Sequence, residues 1–559
     1  MKDQDVGSNE KYGIDDNINS QTDGTQSLEQ SEKVHNVISI TRADIGDLEN
    51  VISTIVSPSG KEVKVTGDVD EAMRLALESR EIKITEQEDR KLVWKIDLYM
   101  FPLMCILYAI QFMDKVSNGS AAVMGLRDDL KMKGNQYSWV GSAFYFGYLF
   151  FNLGPGQLIF QKSRWLAKTL AVFVVLWGMI LALHAAPTIN YASFIFLRVL
   201  LGCAESMVTP TFTIITSQYW RKEEHFMRVC LWFGFNGLGG IWANSLAYGL
   251  YIRQASYSIE AWRVLFVVTG LITVFVGFAI FFHLPDDPSK AWFLSEREKL
   301  MVVERIRGNQ QGFGNHHIKW YQVKEAFTDV RTWLFFAFSI GSNIPNGGLT
   351  NFMNILIKND FGYSTKESLL MTMPTGAVEL VACPLIGFLS VWCAKKKIPF
   401  LQDRLIWGIF AAVLSVVATC MLAFAKESKN ARLAGAYLLY VAPVSFICVL
   451  SIISSNTLGY TKKWTVSSIN LVSYAASNLA GPQTFIAKQA PGYNGAKIAM
   501  LVCYAGCVVT LSALYVLNIY ENKKRDRIQA ERGPSDTIIE NLEFADLTDK
   551  ENPNFRYAL

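Results

Sequence analysis

The polar and apolar positions of this chain are arranged in blocks. From residue 98 onward, apolar runs of about 20 residues recur between short polar breaks, and about 20 residues is the length a helix needs to cross a bilayer. Twelve blocks fall at 98–119, 136–159, 167–186, 192–214, 229–251, 263–284, 333–356, 368–392, 405–425, 433–456, 466–487 and 496–518. Several are interrupted by Gly, Pro, Asn or Ser, which membrane helices tolerate where a neighbour or a cavity satisfies the backbone. The longest polar gap, 285–332, separates six blocks from six. Inside it, SEREKLMVVERIRG predicts an amphipathic helix, with Ser295 as its cap, Glu298 three residues on and Gly308 beyond its last turn.

The pattern predicts an all-α membrane protein of 12 transmembrane helices in two six-helix halves, with a site at the bilayer midplane between them. The expected units are a tail at 1–90, an N-terminal half at 91–284, a central loop at 285–332, a C-terminal half at 333–520 and a second tail at 521–559. Residues 1–32 are polar, acidic and almost free of aromatics, a composition that stays disordered. Residues 68–90 predict a short amphipathic helix. The first apolar block is too late and too long for a secretory signal peptide. Basic residues in the central gap, in DRKLVWK and in ENKKRDR place that gap and both tails on the cytoplasmic side.

Composition narrows the function. The mean hydropathy is +0.20 over 559 residues. The net charge of +4 points to no nucleic-acid partner. The nine cysteines lie in or beside apolar blocks without metal or redox spacing, and read as small core residues. Cys393, at a helix end, is expected to be partly exposed. No HExxH, no GxSxG and no histidine cluster occurs, and His316 and His317 stand in the central gap. No enzyme, metal or cofactor is expected. The sequon Asn118-Gly119-Ser120 closes block one, too near the membrane for a glycan.

What needs explaining is charge inside the blocks, where ionisable residues mark functional sites by default. Block one carries Asp114 and Lys115. Block four carries Arg198 and Glu205, two helical turns apart and so on one face, about 10 Å along the axis. Block eight carries Glu379, and block three carries His184 near its end. Neighbours on a helix point about 100° apart, so Asp114 and Lys115 cannot satisfy each other. Gln111 and Asn118 share the face of Asp114 and make a polar stripe. The alternative is a set of structural ion pairs that only fix packing.

FMDKVSNGSA and RVLLGCAES resemble the first-helix and fourth-helix motifs of the anion:cation symporter family in the major facilitator superfamily. The likeness runs on through REKLMVVERIR, MPTGAVELVACP, KKWTVSSINLVSYAASNLAGPQTFIAKQAP and ENPNFRYAL, which are of the type found in fungal members. It implies proton-driven uptake of an organic carboxylate, foremost a ureido acid such as allantoate or ureidosuccinate, with small peptides as further cargo. It also implies the plasma membrane. Two departures stand out. Lys115 replaces a usual Arg and so lacks the fork that grips a carboxylate. The loops GPGQLIFQKSRWLAK and GFLSVWCAKKK lack the family's Asp.

Charge arithmetic then assigns roles. An anion needs a positive partner in the cavity, and Lys115 and Arg198 are the candidates. An anion entering a negative interior alone is opposed by about 2.3 kcal/mol per 100 mV, which a co-transported proton cancels. Glu205 is the first candidate for the proton, then Asp114, with Glu379 as a second coupling site. Asn236, Asn343 and Asn470 are candidates for the polar part of the substrate. A monomer working on a small organic anion and a proton is expected. Two rival readings keep the same fold: another carboxylate cargo such as a vitamin acid, or a nutrient receptor that does not transport.

Overall fold

A computed structural model describes residues 52–56, 62–66, 84–163, 165–306, 319–425, 427–532, 547–552 and 554–559. Residues 1–32, most of the helix expected at 68–90, and the pair His316 and His317 lie outside the described residues. The helices form twelve spans. The first six are Glu86–Ala121, Gln136–Leu153 with Pro155–Lys162, Leu166–Leu183, Tyr191–Glu205 with Val208–Tyr219, Lys222–Ile252, and Ala261–His283. The second six are Val330–Asn359, Thr365–Lys395, Arg404–Phe424, Lys429–Leu438 with Pro443–Asn456, Tyr460–Ala480, and Asn494–Arg532. Eight of the twelve are long and apolar enough to cross a membrane. The other four, spans two, five, seven and eleven, are diluted by buried polar residues such as Ser142, Asn236, Asn351 and Asn470.

Span one starts well before its apolar block because Thr85 and Glu88 form a reciprocal cap, with Glu88 N donating to Thr85 Oγ1 at 3.3 Å and Thr85 N to Glu88 Oε2 at 3.1 Å. Ahead of it, Ile52–Val56 and Glu62–Thr66 pair as an antiparallel hairpin. Sequence reading had absorbed this pair into the polar tail, although ISTIV is rich in β-branched residues.

The two halves repeat one packing plan. In the first, span one packs on five, two on four and three on six; in the second, seven packs on eleven, eight on ten and nine on twelve. Between the halves, five meets eight and two meets eleven, which is the same pairing advanced by six spans. At the five–eight crossing Gly237 faces Gly376. A Cβ on Gly237 would lie 2.1 Å from the Gly376 carbonyl oxygen, so only glycine permits this approach. Phe275, Phe282 and Val509 are exposed around the outside, a surface suited to lipid. Cys393 is buried, contrary to expectation, because span eight continues to Lys395 and carries it on a packed face. Asn118 is buried too, so its sequon is out of reach.

With an even number of spans, the start of span one and the close of span twelve share one end of the bundle, here called the near end. There the central loop is divided between the halves. The helix Glu296–Ile306, capped by Ser295 as expected, is held on the first half by Lys95–Glu298 at 2.8 Å and Arg305–Asp89 at 2.7 Å. The helix Trp320–Thr328 is held on the second half through Glu325 and Lys462, 2.9 Å apart. Residues 547–559 dock beside it. Lys462 Nζ reaches Asp549 at 2.7 Å and Asp329 at 3.0 Å, Tyr557 OH donates to Asp549 at 2.8 Å, and Ala558 N donates to Asn456 at 2.7 Å. Burial works against the charged form of Asp329, but Lys462, Lys550 and Arg331 outweigh it and hold this carboxyl below its usual range.

Candidate functional site

Side chains of span one and span four meet inside the first half, and their four charges pair crosswise. Lys115 Nζ sits 2.8 Å from Glu205 Oε1, and Arg198 Nη1 sits 3.8 Å from Asp114 Oδ1. The two-turn spacing of Arg198 and Glu205 brings each opposite a different neighbour of the Asp-Lys pair, which resolves the geometric problem posed by their adjacency. Glu205 and Asp114 are fully buried, whereas the Lys115 side chain keeps 15% of its surface open.

The two pairs differ in surroundings. Asp114 also accepts from Trp177 Nε1 at 2.8 Å. Arg198 donates to Asn118 Oδ1 at 3.1 Å and lies over the rings of Phe194 and Phe266, each 5.4 Å away. His184 stacks on the same Phe266 and is wholly buried, packed behind the arginine. This pair faces a small cavity of about 20 Å³ that Asn118, Tyr145 and Asn351 also line. Lys115 faces both that cavity and a much larger one.

The larger cavity lies between the halves. Its volume is about 110 Å³, room for a small organic acid. Lys115 is the only cation among its described lining residues, and Glu379 the only acid. Gln111, Asn236, Asn343, Asn346 and Asn470 supply amides, and Tyr108, Tyr148, Tyr440 and Tyr474 supply rings and hydroxyls. Of the sequence candidates, Lys115, Asn236, Asn343, Asn470 and Glu379 therefore meet at one cavity. Arg198 and Asp114 are set aside in the smaller one, and Glu205 lies behind Lys115 without lining either. Asn343 is committed within its own half, donating to Ser339 O at 2.8 Å and accepting from Asn478 at 3.4 Å.

Hydrogen bonds joining the halves cluster at the end away from the termini. Asn118 Nδ2 donates to Asn351 Oδ1 at 2.9 Å, Tyr137 OH to Asn351 O at 2.9 Å, Asn354 Nδ2 to Asn244 Oδ1 at 3.1 Å, and Gln483 Nε2 to Ser142 Oγ at 2.9 Å. The cavity is thus closed toward that far end. Asn351 closes the halves here, and Asn456, also a polar residue of the second half, holds Ala558. Sequence reading missed Trp177; the available signal was an indole N–H deep in an otherwise apolar block, which needs an acceptor. It also missed Asp286, which accepts from Ala167 N at 2.8 Å and so caps span three, whose preceding loop lacks an Asp of its own.

The Major Facilitator Superfamily model matches residues 104–482. An allantoate permease of Saccharomyces cerevisiae is 69% identical over 512 residues, covering 91% of this chain and 94% of that protein. An uncharacterised transporter of Schizosaccharomyces pombe is 44% identical, covering 96% of this chain and 99% of its own. Among solved structures, a bacterial homologue of the human lysosomal transporter Spinster aligns with a TM-score of 0.52 at 12% identity, over 78% of this chain and 98% of that one.

Proposed function

The chain belongs to the major facilitator superfamily and is a membrane transporter, and from that premise we propose that it imports a small organic anion together with protons, with allantoate or a related ureido carboxylate as its cargo and dipeptides as further cargo. The observation that carries this reading is Lys115, the one cation among the described residues lining the large cavity, held by a carboxylate 2.8 Å away that the substrate can replace. The identity to an allantoate permease over nearly the whole chain supports the choice of cargo.

In this reading Glu205 is the proton acceptor. While charged it holds Lys115; once protonated it releases Lys115 to the substrate carboxylate. Anion plus one proton carries no net charge, and a second proton makes an interior-negative potential favourable. Arg198 connects Asp114 to Asn118 and, through it, to Asn351 at the far-end closure. A change of charge at Asp114 therefore alters the hold of Arg198 on a residue that keeps the halves together. The protein acts as a monomer in the plasma membrane, with the termini and the central loop cytoplasmic, so the arrangement described is closed to the outside.

The test is uptake of labelled allantoate in cells lacking their own permease, at two external pH values, with and without an uncoupler. The expected result is uptake that rises in acid and collapses with uncoupler. No uptake by protein present at the surface overturns the assignment of cargo.

A further inference from the structure

Among its described lining residues the large cavity has one cation and one acid, and the coupling scheme uses only the cation. Lys115 answers a carboxylate. Glu379 of span eight is almost fully buried, lines the cavity and has no cation within ion-pair distance among the described residues. Asn236 of span five lines the same cavity from the other half. On span eleven, Asn470 presents a buried side-chain oxygen that has no hydrogen-bond partner. A carboxylate accepts only, when ionised, and an amide oxygen always accepts. Leaving such groups unpaired away from water is costly. The cavity wall therefore offers an acid with no cation to answer it and an amide oxygen with no donor.

We infer that Glu379 and Asn470 read N–H donors of the cargo from the cavity wall, and that Glu379 determines the preference for carboxylates bearing ureido or ammonium N–H groups over carboxylates without them. A ureido group offers two parallel N–H bonds, which a carboxylate receives as it receives the fork of a guanidinium. An ammonium meets the same group as an ion pair. A plain acid of equal size fills the space and leaves Glu379 unsatisfied, and a site built around hydrogen bonds to its ligand rejects an analogue that lacks them far more strongly than an apolar pocket rejects a missing methylene. This inference rests on the reading of the cavity as an organic-anion site and adds which anions it selects.

The test compares labelled allantoate with monomethyl adipate, a singly charged acid of similar length without N–H donors, in cells lacking their own permease. Glu379→Gln is expected to lower kcat/KM for allantoate about 10- to 100-fold, the worth of a hydrogen bond to a charged group, mainly through KM. Inhibition by monomethyl adipate should stay within about threefold, as expected where the missing bond was never made. Acid stimulation and uncoupler sensitivity should persist, and Glu379→Asp should recover part of the loss. Should Glu379→Gln fail to reach the surface, Asn470→Ala carries the same ratio. An unchanged ratio between the two acids overturns the inference alone, as does a variant that keeps its KM and loses acid stimulation. Absence of allantoate uptake by the wild type overturns the proposed function and this inference with it.

Discussion

Replacing Glu205 with Gln separates anion binding from proton coupling. At an effective dielectric of about 20, charges 2.8 Å apart attract by about 6 kcal/mol before desolvation is counted. In the wild type the substrate carboxylate has to compete with that attraction. In Glu205→Gln it does not, so KM for allantoate is expected to fall by up to about tenfold, a change of about 1.4 kcal/mol in competition for Lys115. The second effect is larger. With one proton per anion, the wild type ignores membrane potential and accumulates substrate about tenfold per unit of pH gradient. Without the proton, an interior-negative potential of 100 mV opposes the anion by about 2.3 kcal/mol, an exclusion of about 50-fold. Proteoliposomes with independently imposed potassium-diffusion potentials and pH steps read both. Glu205→Gln should exchange labelled for unlabelled allantoate at zero gradient, ignore the pH step and respond to potential as a lone anion does. Accumulation driven by pH to the wild-type level would refute the coupling role of Glu205.

Other residues give sharper structural tests. Asp114→Asn keeps an acceptor for Trp177 but leaves Arg198 buried without its carboxylate, a loss of about 3 kcal/mol that should lower the melting temperature of purified protein by several degrees. Gly237→Ala forces apart two backbones that approach too closely for a Cβ, and about 1–3 kcal/mol of overpacking should appear as lowered thermal stability and slower transport. Lys462→Met leaves Glu325, Asp329 and Asp549 facing one another at a cost of about 3–5 kcal/mol, which release of residues 547–559 would limit; protease cleavage within that segment should accelerate. The same assay has a pH signature. Burial, and repulsion from Glu325, raise the Glu551 carboxyl above its usual range against the opposing bonds from Thr548. The docked state therefore favours protonated Glu551, and docking strengthens as pH falls through that raised value. Asp329, held low, keeps its contribution until pH falls below the ordinary aspartate range. Cleavage should be slower in mild acid than at neutrality and fast again in strong acid.

The twelve spans and the six-plus-six division were legible because a bilayer demands about 20 apolar residues for each crossing, a rule sequence alone can apply. The charged residues were legible for the opposite reason, since each violates that rule. Their pairing was not: the seven-residue spacing placed Arg198 and Glu205 on one face of span four, but the crosswise match depends on how spans one and four are set against each other. The division of labour at the site was equally hidden, because the cavity runs between helices far apart in sequence. Lys115 and Asp114 are adjacent, yet the turn between them sends one to the large cavity and the other to the small one. The hairpin at 52–66 was missed because two five-residue strands inside a polar segment carry little periodic signal.

The docking of residues 547–559 also has a consequence in time. Thr548 donates to Glu325, 223 positions earlier in the chain, and Asp549 answers Lys462, 87 positions earlier. Synthesis runs from the first residue to the last. Lys462 therefore spends an interval with Asp549 not yet made, and Asn456 waits longer still for Ala558. Throughout that interval the near end of the second half carries unpaired polar groups that the finished protein hides. Newborn chains should pass through a stage recognisable to the cell's folding machinery, and the arrival of one short peptide ends it.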